Sequence, residues 1–208
     1  MNKPTPPQTA SFAIAATASR PETALAALLR NTGIVLVGTA FVALCAHIAL
    51  PLYFTPVPLT LQPFAVLVVG LLLAPRLAAT TLAAYLVEGA MGLPVFTPGP
   101  ASVPGLAHLF GPTAGYLLAY PVAALLISVL WRRSRRGFPA ALASAAAGNI
   151  LILASGALWL GLVTHASAQL VLTQSIVPFL PGDALKIAAA AALAAGAQRF
   201  RRQSDSNL

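Results

Sequence analysis

Asp183 and Lys186 stand three residues apart in Pro178-Phe-Leu-Pro-Gly-Asp-Ala-Leu-Lys186, and no other Asp, Glu, Lys or Arg occurs between Trp159 and Gln198. On a helix this spacing puts acid and base on one face. Pro178 and Pro181 cannot continue a helix from upstream, so Pro-Gly-Asp ahead of an Ala/Leu/Ile run predicts a turn with Asp183 capping a new helix. A carboxylate there accepts hydrogen bonds, is favoured by the positive end of its helix and partly neutralises the lysine. Such a pair can bind a polar ligand, act as acid and base, or simply satisfy a helix start.

The segment that carries the pair must be positioned by apolar neighbours. The 208 residues are 58% hydrophobic and 8% charged, with a mean hydropathy of +0.84, against about a quarter charged in soluble proteins. The chain is therefore expected to be an integral membrane protein. Leu/Ala-rich spans broken by Pro and Gly, without strand alternation, indicate helices and exclude a barrel. From Asp183 to Arg199 a helix runs roughly 24 Å, against a hydrocarbon core of roughly 30 Å. If Arg199 marks one boundary, the pair lies near the other, and ionisable residues at membrane depth are costly and usually functional.

Six spans are predicted, at about Gly33 to Leu50, Leu61 to Ala74, Leu77 to Met91, Thr113 to Trp131, Phe138 to Val163 and Asp183 to Ala197. The second and third are short and should pack beside longer neighbours. Lys3, Arg20 and Arg30 precede the first span, Arg76 separates the second and third, Arg132, Arg133, Arg135 and Arg136 separate the fourth and fifth, and Arg199, Arg201 and Arg202 follow the last. Eleven of the twelve basic residues thus fall on one side of a six-span chain. The positive-inside rule makes that side the cytoplasm, with both termini there. An odd count would put the Arg-rich loop and the Arg-rich tail on opposite sides. The expected fold is an all-α membrane protein: a mobile cytoplasmic tail over residues 1–31, a six-helix domain over 32–198 and a cytoplasmic tail over 199–208. The net charge of +8 is a topological signal, since its residues flank spans and lack a nucleic-acid context.

The three outer connections are uncharged and rich in turn residues. The first, Pro51 to Thr60, has three prolines with aromatics, and the second, Gly92 to Pro112, has four Gly and five Pro among 21 residues. Proline stiffens a chain, so such loops lose little entropy on closing over a ligand; they also suit plain helix connections. The third, Thr164 to Gly182, includes a candidate interfacial helix from Ala166 to Val177. Loops meeting above Asp183 and Lys186 would form a lidded pocket. Glu88, three residues after Tyr85 near the outer end of the third span, either faces that cavity or reaches lipid headgroups, and Gln62 has similar standing. His47, His108 and His165 lie near outer boundaries without metal-ligand spacing. Cys45 is alone, so no disulfide or cysteine cluster forms within the chain. Thr39, Ala43 and Ala46, and on the fifth span Ala145, Gly148 and Ile152, make small-residue stripes that serve either internal packing or docking of another membrane subunit.

Catalytic signatures are missing. There is no G-x-x-x-x-G-K-[ST] and no H-E-x-x-H, so the chain has no ATP-binding loop of its own. Leu153 stands where an intramembrane serine protease would need glycine, and Leu180 breaks the G-x-G-D of an intramembrane aspartyl protease. Neither an enzyme nor a bound cofactor is expected.

Four stretches taken together, Phe54-Thr-Pro-Val-Pro-Leu-Thr-Leu-Gln62, Gly89-Ala-Met-Gly-Leu-Pro-Val-Phe96, Gly111-Pro-Thr-Ala-Gly-Tyr116 and Val177-Pro-Phe-Leu-Pro-Gly-Asp-Ala-Leu-Lys186, resemble the BioY family, the biotin-binding S-components of energy-coupling factor transporters. The likeness covers about Thr32 to Ala197, in register. It implies a six-helix subunit of the cell membrane that captures biotin from outside, with the first two outer loops as a lid. It further implies a partner module, a transmembrane subunit with two cytoplasmic ATPases, that drives release by toppling the subunit in the bilayer. The last motif carries over onto Asp183 and Lys186 as ligand contacts. The family is expected to meet the biotin carboxylate with a further basic residue near the second outer loop or fourth helix, and here Leu77 to Leu130 offers only His108.

The residues suit this ligand. A ureido group presents two N–H donors and a carbonyl acceptor, which match Asp183 and Lys186, while Phe54, Tyr85, Phe96 and Tyr116 match the bicyclic body. A different class of function is an autonomous ion-coupled transporter of a small carboxylate-bearing ligand, with Glu88 or Asp183 carrying the proton; the chain is small for that and shows no inverted repeat. A membrane enzyme using Asp183 and Lys186 as acid and base is a third reading.

Overall fold

A computed structural model describes residues 23–99 and 103–206. Its elements are α1 (Ala24–His47), β1 (Ala49–Leu50), β2 (Leu59–Thr60), α2 (Gln62–Leu72), α3 (Pro75–Ala90), a 3-10 helix (Gly105–Phe110), α4 (Ala114–Arg133), α5 (Phe138–Thr164), α6 (Ala168–Ser175) and α7 (Leu180–Ser206). Four helices, α1, α4, α5 and the Leu180–Phe200 part of α7, are long and apolar enough to cross a membrane. The chain is an all-α, multi-pass membrane protein.

Helix α2 is the hub. It packs against α1, α4, α5 and α7, and eight of its eleven residues are buried. Its sequence is apolar all round, as a helix enclosed by others requires. At about 1.5 Å per residue it is only roughly 16 Å long, so it occupies part of the bundle's depth and its outer end starts at the level of the site. Around it α4 lies along α5, α3 against α4, and α7 against α5. Glycines set the close approaches: a Cβ on Gly115 of α4 would meet Trp159 and the Ser155 carbonyl of α5, and one on Gly148 of α5 would meet Ile127 of α4. Large apolar side chains such as Leu36, Val37, Val122, Leu158 and Leu193 point outward, where a soluble protein would carry polar ones.

Several boundaries differ from the sequence expectation. Helix α1 begins at Ala24, not Gly33, because the Thr23 side chain accepts a hydrogen bond from the Ala26 N–H and caps it; the rest of the expected N-terminal tail, residues 1–22, lies outside the described residues. Helix α7 begins at Leu180 and continues through Ser206, past the expected end at Ala197. Pro181 is accommodated in its first turn, where the missing N–H would have had no partner. Asp183 is therefore not the cap: its own N–H donates to the Phe179 carbonyl, which frees its carboxylate for the interior. The first outer loop contains an antiparallel ribbon pairing Ala49 with Thr60 and Leu50 with Leu59. Thr39 and Ala46 are buried and α1 packs on α2 and α3, so this stripe serves internal packing and does not form an open docking face. A helix does form within the expected Ala166 to Val177 stretch, as the shorter α6, Ala168–Ser175, capped by Ser167.

Candidate functional site

At one end of the bundle, α2, α4, α5 and the start of α7 enclose a chamber with about 540 Å³ of empty space, counting its open mouth. Its polar wall is formed by Asp183 and Lys186 of α7 with Asn149 of α5, all buried. Lys186 Nζ donates to Asp183 Oδ1 at 3.0 Å, and Asn149 Nδ2 donates to Asp183 Oδ2 at 3.0 Å. Both carboxylate oxygens are thus held, which buried charge demands. The Asn149 amide is oriented by that carboxylate, since its oxygen would be repelled there. Its Oδ1, turned the other way, is a buried acceptor without a partner among the described residues. Such an atom is costly unless something donates to it.

Gln62, at the first turn of α2, lines the same chamber and is fixed by a directional chain. Thr97 Oγ1 donates to Gln62 Oε1 at 3.2 Å, Gln62 Nε2 donates to the Tyr85 hydroxyl at 2.8 Å, and that hydroxyl donates to the Val95 carbonyl at 2.8 Å. The chain ties α2 and α3 to the start of the second outer loop and leaves one Gln62 amide N–H to spare. Tyr116 lines the chamber and donates to the Ser175 carbonyl at 2.9 Å, which pins the end of α6. Thr55 of the first loop donates to the Gln174 carbonyl at 2.8 Å.

Of the residues singled out from sequence, Asp183, Lys186, Gln62 and Tyr116 meet at this chamber. Tyr85 and Phe96 stand behind it. Phe96 packs edge-on to Tyr85, with centroids 5.5 Å apart, and stacks on His108 at 4.7 Å, so both aromatics shape the wall from outside. Phe54 is exposed on the first loop, and Glu88 is half-buried on α3; neither is among the residues that line the chamber. Asn149 and Tyr120 escaped the sequence reading, and Ile152 and Phe179, which complete the apolar wall with Tyr120, were not read there as site residues. A signal for it existed: Asn149 is the only asparagine between Thr32 and Ser206, an isolated amide at membrane depth.

The chamber offers two acceptors, Asp183 and Asn149 Oδ1, beside a donor, Lys186, in an aromatic and aliphatic enclosure. A BioY family model matches residues 14–203. The chain belongs to the BioY family. Among BioY proteins, the "Biotin transporter BioY2" of Lactococcus lactis subsp. cremoris is 36% identical over 159 residues, which is 76% of this chain and 84% of the relative. The "Biotin transporter BioY" of Thermotoga maritima is 36% identical over 157 residues, covering 75% and 88%. The solved S-component for biotin from an ECF-type ABC transporter superposes with a TM-score of 0.75 at 26% identity, over 83% of this chain and 93% of that one. The BioY chain described here therefore shares fold and sequence with membrane transport subunits.

Proposed function

We propose that the chain captures biotin at the outer face of the cell membrane as the substrate-binding subunit of an ECF-type transporter. The observation that carries this is the unpartnered Asn149 Oδ1 beside the Asp183–Lys186 pair. A ureido group has two N–H donors that require two acceptors, and a carbonyl that requires a donor, and the chamber holds that set. Membership of the BioY family and likeness to biotin transporters support the same ligand. The purified full chain, without nucleotide or ion gradient, is expected to bind biotin tightly, and Asn149→Leu to bind it about tenfold more weakly, the loss of one buried hydrogen bond to a polar ligand. Failure of the parent to bind biotin under those conditions would remove this reading.

The six-crossing topology and the coupling partners belong to the same proposal. Helices α1, α4, α5 and α7 cross in full, and the shorter α2 and α3 complete the six passes with their flanking loops, with the arginine-bearing turns and both termini inside. In this reading release is energised by a separate transmembrane subunit carrying two cytoplasmic ATPases, the module that the family resemblance implies, and the sequence itself carries no phosphate-binding loop. Cys45 is buried, so engineered cysteines read against a low background. Tyr53→Cys, on the exposed first loop, should react with a membrane-impermeant thiol reagent from outside in intact cells, and Arg135→Cys only after permeabilisation. The reverse pattern would invert the topology.

A further inference from the structure

The chamber does not end at its polar wall. Pro58, Thr97, His108 and Thr113 are shared with a second, outer chamber of about 1050 Å³ of empty space, its open mouth included. Among the described residues, the ionisable side chains lining this outer chamber are His47 and His108. The other described cations are elsewhere: Lys186 is engaged with Asp183 at the inner wall, and the described arginines lie toward the opposite ends of the helices. His108 lines both chambers and is half-buried, whereas His47 lines the outer one and is exposed.

His108 Nδ1 lies 3.2 Å from the Val103 carbonyl. A carbonyl only accepts, so Nδ1 carries a proton and donates. In the neutral ring Nε2 is then a bare acceptor, useless to a carboxylate; only the imidazolium has an Nε2–H to give. We propose that His108, as imidazolium, receives the carboxylate of the bound ligand at the junction of the two chambers, so that capture takes up a proton. This rests on the reading above, in which the Asp183–Lys186–Asn149 wall holds the ureido end and leaves the acid-bearing tail directed outward. Burial holds the free imidazole below its ordinary pKa, opposed by the bond to Val103; an incoming carboxylate raises it, so affinity is gained as pH falls through the imidazole range and lost as it rises.

The other groups around His108 do not supply this slope. The 3-10 helix packs on α3 and α4, which bring Glu88, Tyr85, Tyr116 and Tyr120, and of these Glu88 is the one the substitution below separates from His108. Asp183 and Lys186, below, compensate each other, and His47 faces the same chamber from the end of α1.

The test is calorimetry of the purified full chain with biotin and with biotinol, its uncharged alcohol, between about pH 5.5 and pH 8.5, the range in which imidazole titrates. Biotin affinity is expected to rise about tenfold toward acid, with proton uptake seen as a buffer-dependent heat, while biotinol shows no slope. His108→Gln and His108→Phe, the latter keeping an aromatic ring against Phe96, should both lose the biotin slope, and Glu88→Gln should keep it. A flat biotin profile in the parent, an equal slope for biotinol, or a slope that survives both His108 substitutions or vanishes only in His47→Gln would overturn the proposal. Those outcomes leave the inner site standing if Asp183→Asn still weakens both ligands; binding of neither ligand by the parent would instead remove the biotin reading. Biotinol binding also reports that each variant is folded.

Discussion

Asp183→Asn is expected to lower biotin affinity by about ten- to a hundredfold, the equivalent of about 1.5 to 3 kcal/mol for one charge-assisted hydrogen bond to a buried partner. The substitution keeps the size of the side chain but turns one acceptor oxygen into a donor. That donor would face either the Lys186 ammonium or the Asn149 amide N–H, which now sit 3.0 Å from Asp183 Oδ1 and Oδ2. One of the two then loses its acceptor, and the ligand loses an anionic oxygen. Lys186→Met should cost a similar amount, because it removes the donor for the ureido carbonyl and leaves the carboxylate held by Asn149 alone. The two charges compensate each other, so the double variant should lose less than the sum of the single losses. Equilibrium binding of biotin to the four proteins closes this cycle. Parental affinity in both single variants would reduce the pair to a structural tie between α5 and α7.

Gly115→Ala should be among the most damaging single-methyl additions in the bundle. Its new Cβ would run into the Trp159 side chain and the Ser155 backbone carbonyl, and a carbonyl within a helix cannot rotate away. Overpacking of this kind typically costs about 1 to 3 kcal/mol. The damage also reaches the site, since Trp159 Nε1 donates to the Gly111 carbonyl at 2.9 Å and so holds the end of the second outer loop. A lower unfolding temperature in detergent together with weakened biotin binding is the expected pair of observations. Gly196→Ala on α7 is the control: nothing lies within 4 Å of its Cβ position, and added helix propensity favours it by about 0.5 to 1 kcal/mol. Equal melting of Gly115→Ala and the parent would show that α4 and α5 have room to separate.

The parts of the molecule legible in the sequence are those written in charge. Asp183 and Lys186 could be found because they are isolated in an apolar window, and the helical, membrane-embedded class follows from composition. The partners of that pair were not legible to the same degree. Asn149 is 34 residues upstream of Asp183, and only packing of α5 on α7 shows that its amide faces the carboxylate. Small-residue stripes carry no direction: Thr39 and Ala46 favour the core by default, and only α1 seen against α2 and α3 excludes a docking face there. The ribbon at Ala49–Leu50 and Leu59–Thr60 is too short to register as alternation. Asp183 was expected to cap a helix because Pro181 looked like a barrier, yet proline is at home in a first turn. Phe54 in a turn of the first loop and Tyr116 in the first turn of α4 are both aromatic residues near the site end of the bundle; burial separates them, and burial is a property of the folded chain.

The confinement of the described arginines to one end of the bundle bears on how fast ligand arrives. The outer loops contain no lysine, arginine, aspartate or glutamate, and the opposite end of a bundle spanning roughly 30 Å of hydrocarbon is several Debye lengths away at a screening distance of about 8 Å. An anionic ligand approaching the chamber end of the bundle therefore meets no long-range attractive field, and its encounter with the chamber is unsteered diffusion. The association rate constant should be nearly independent of ionic strength, and affinity is then set by how slowly the ligand leaves.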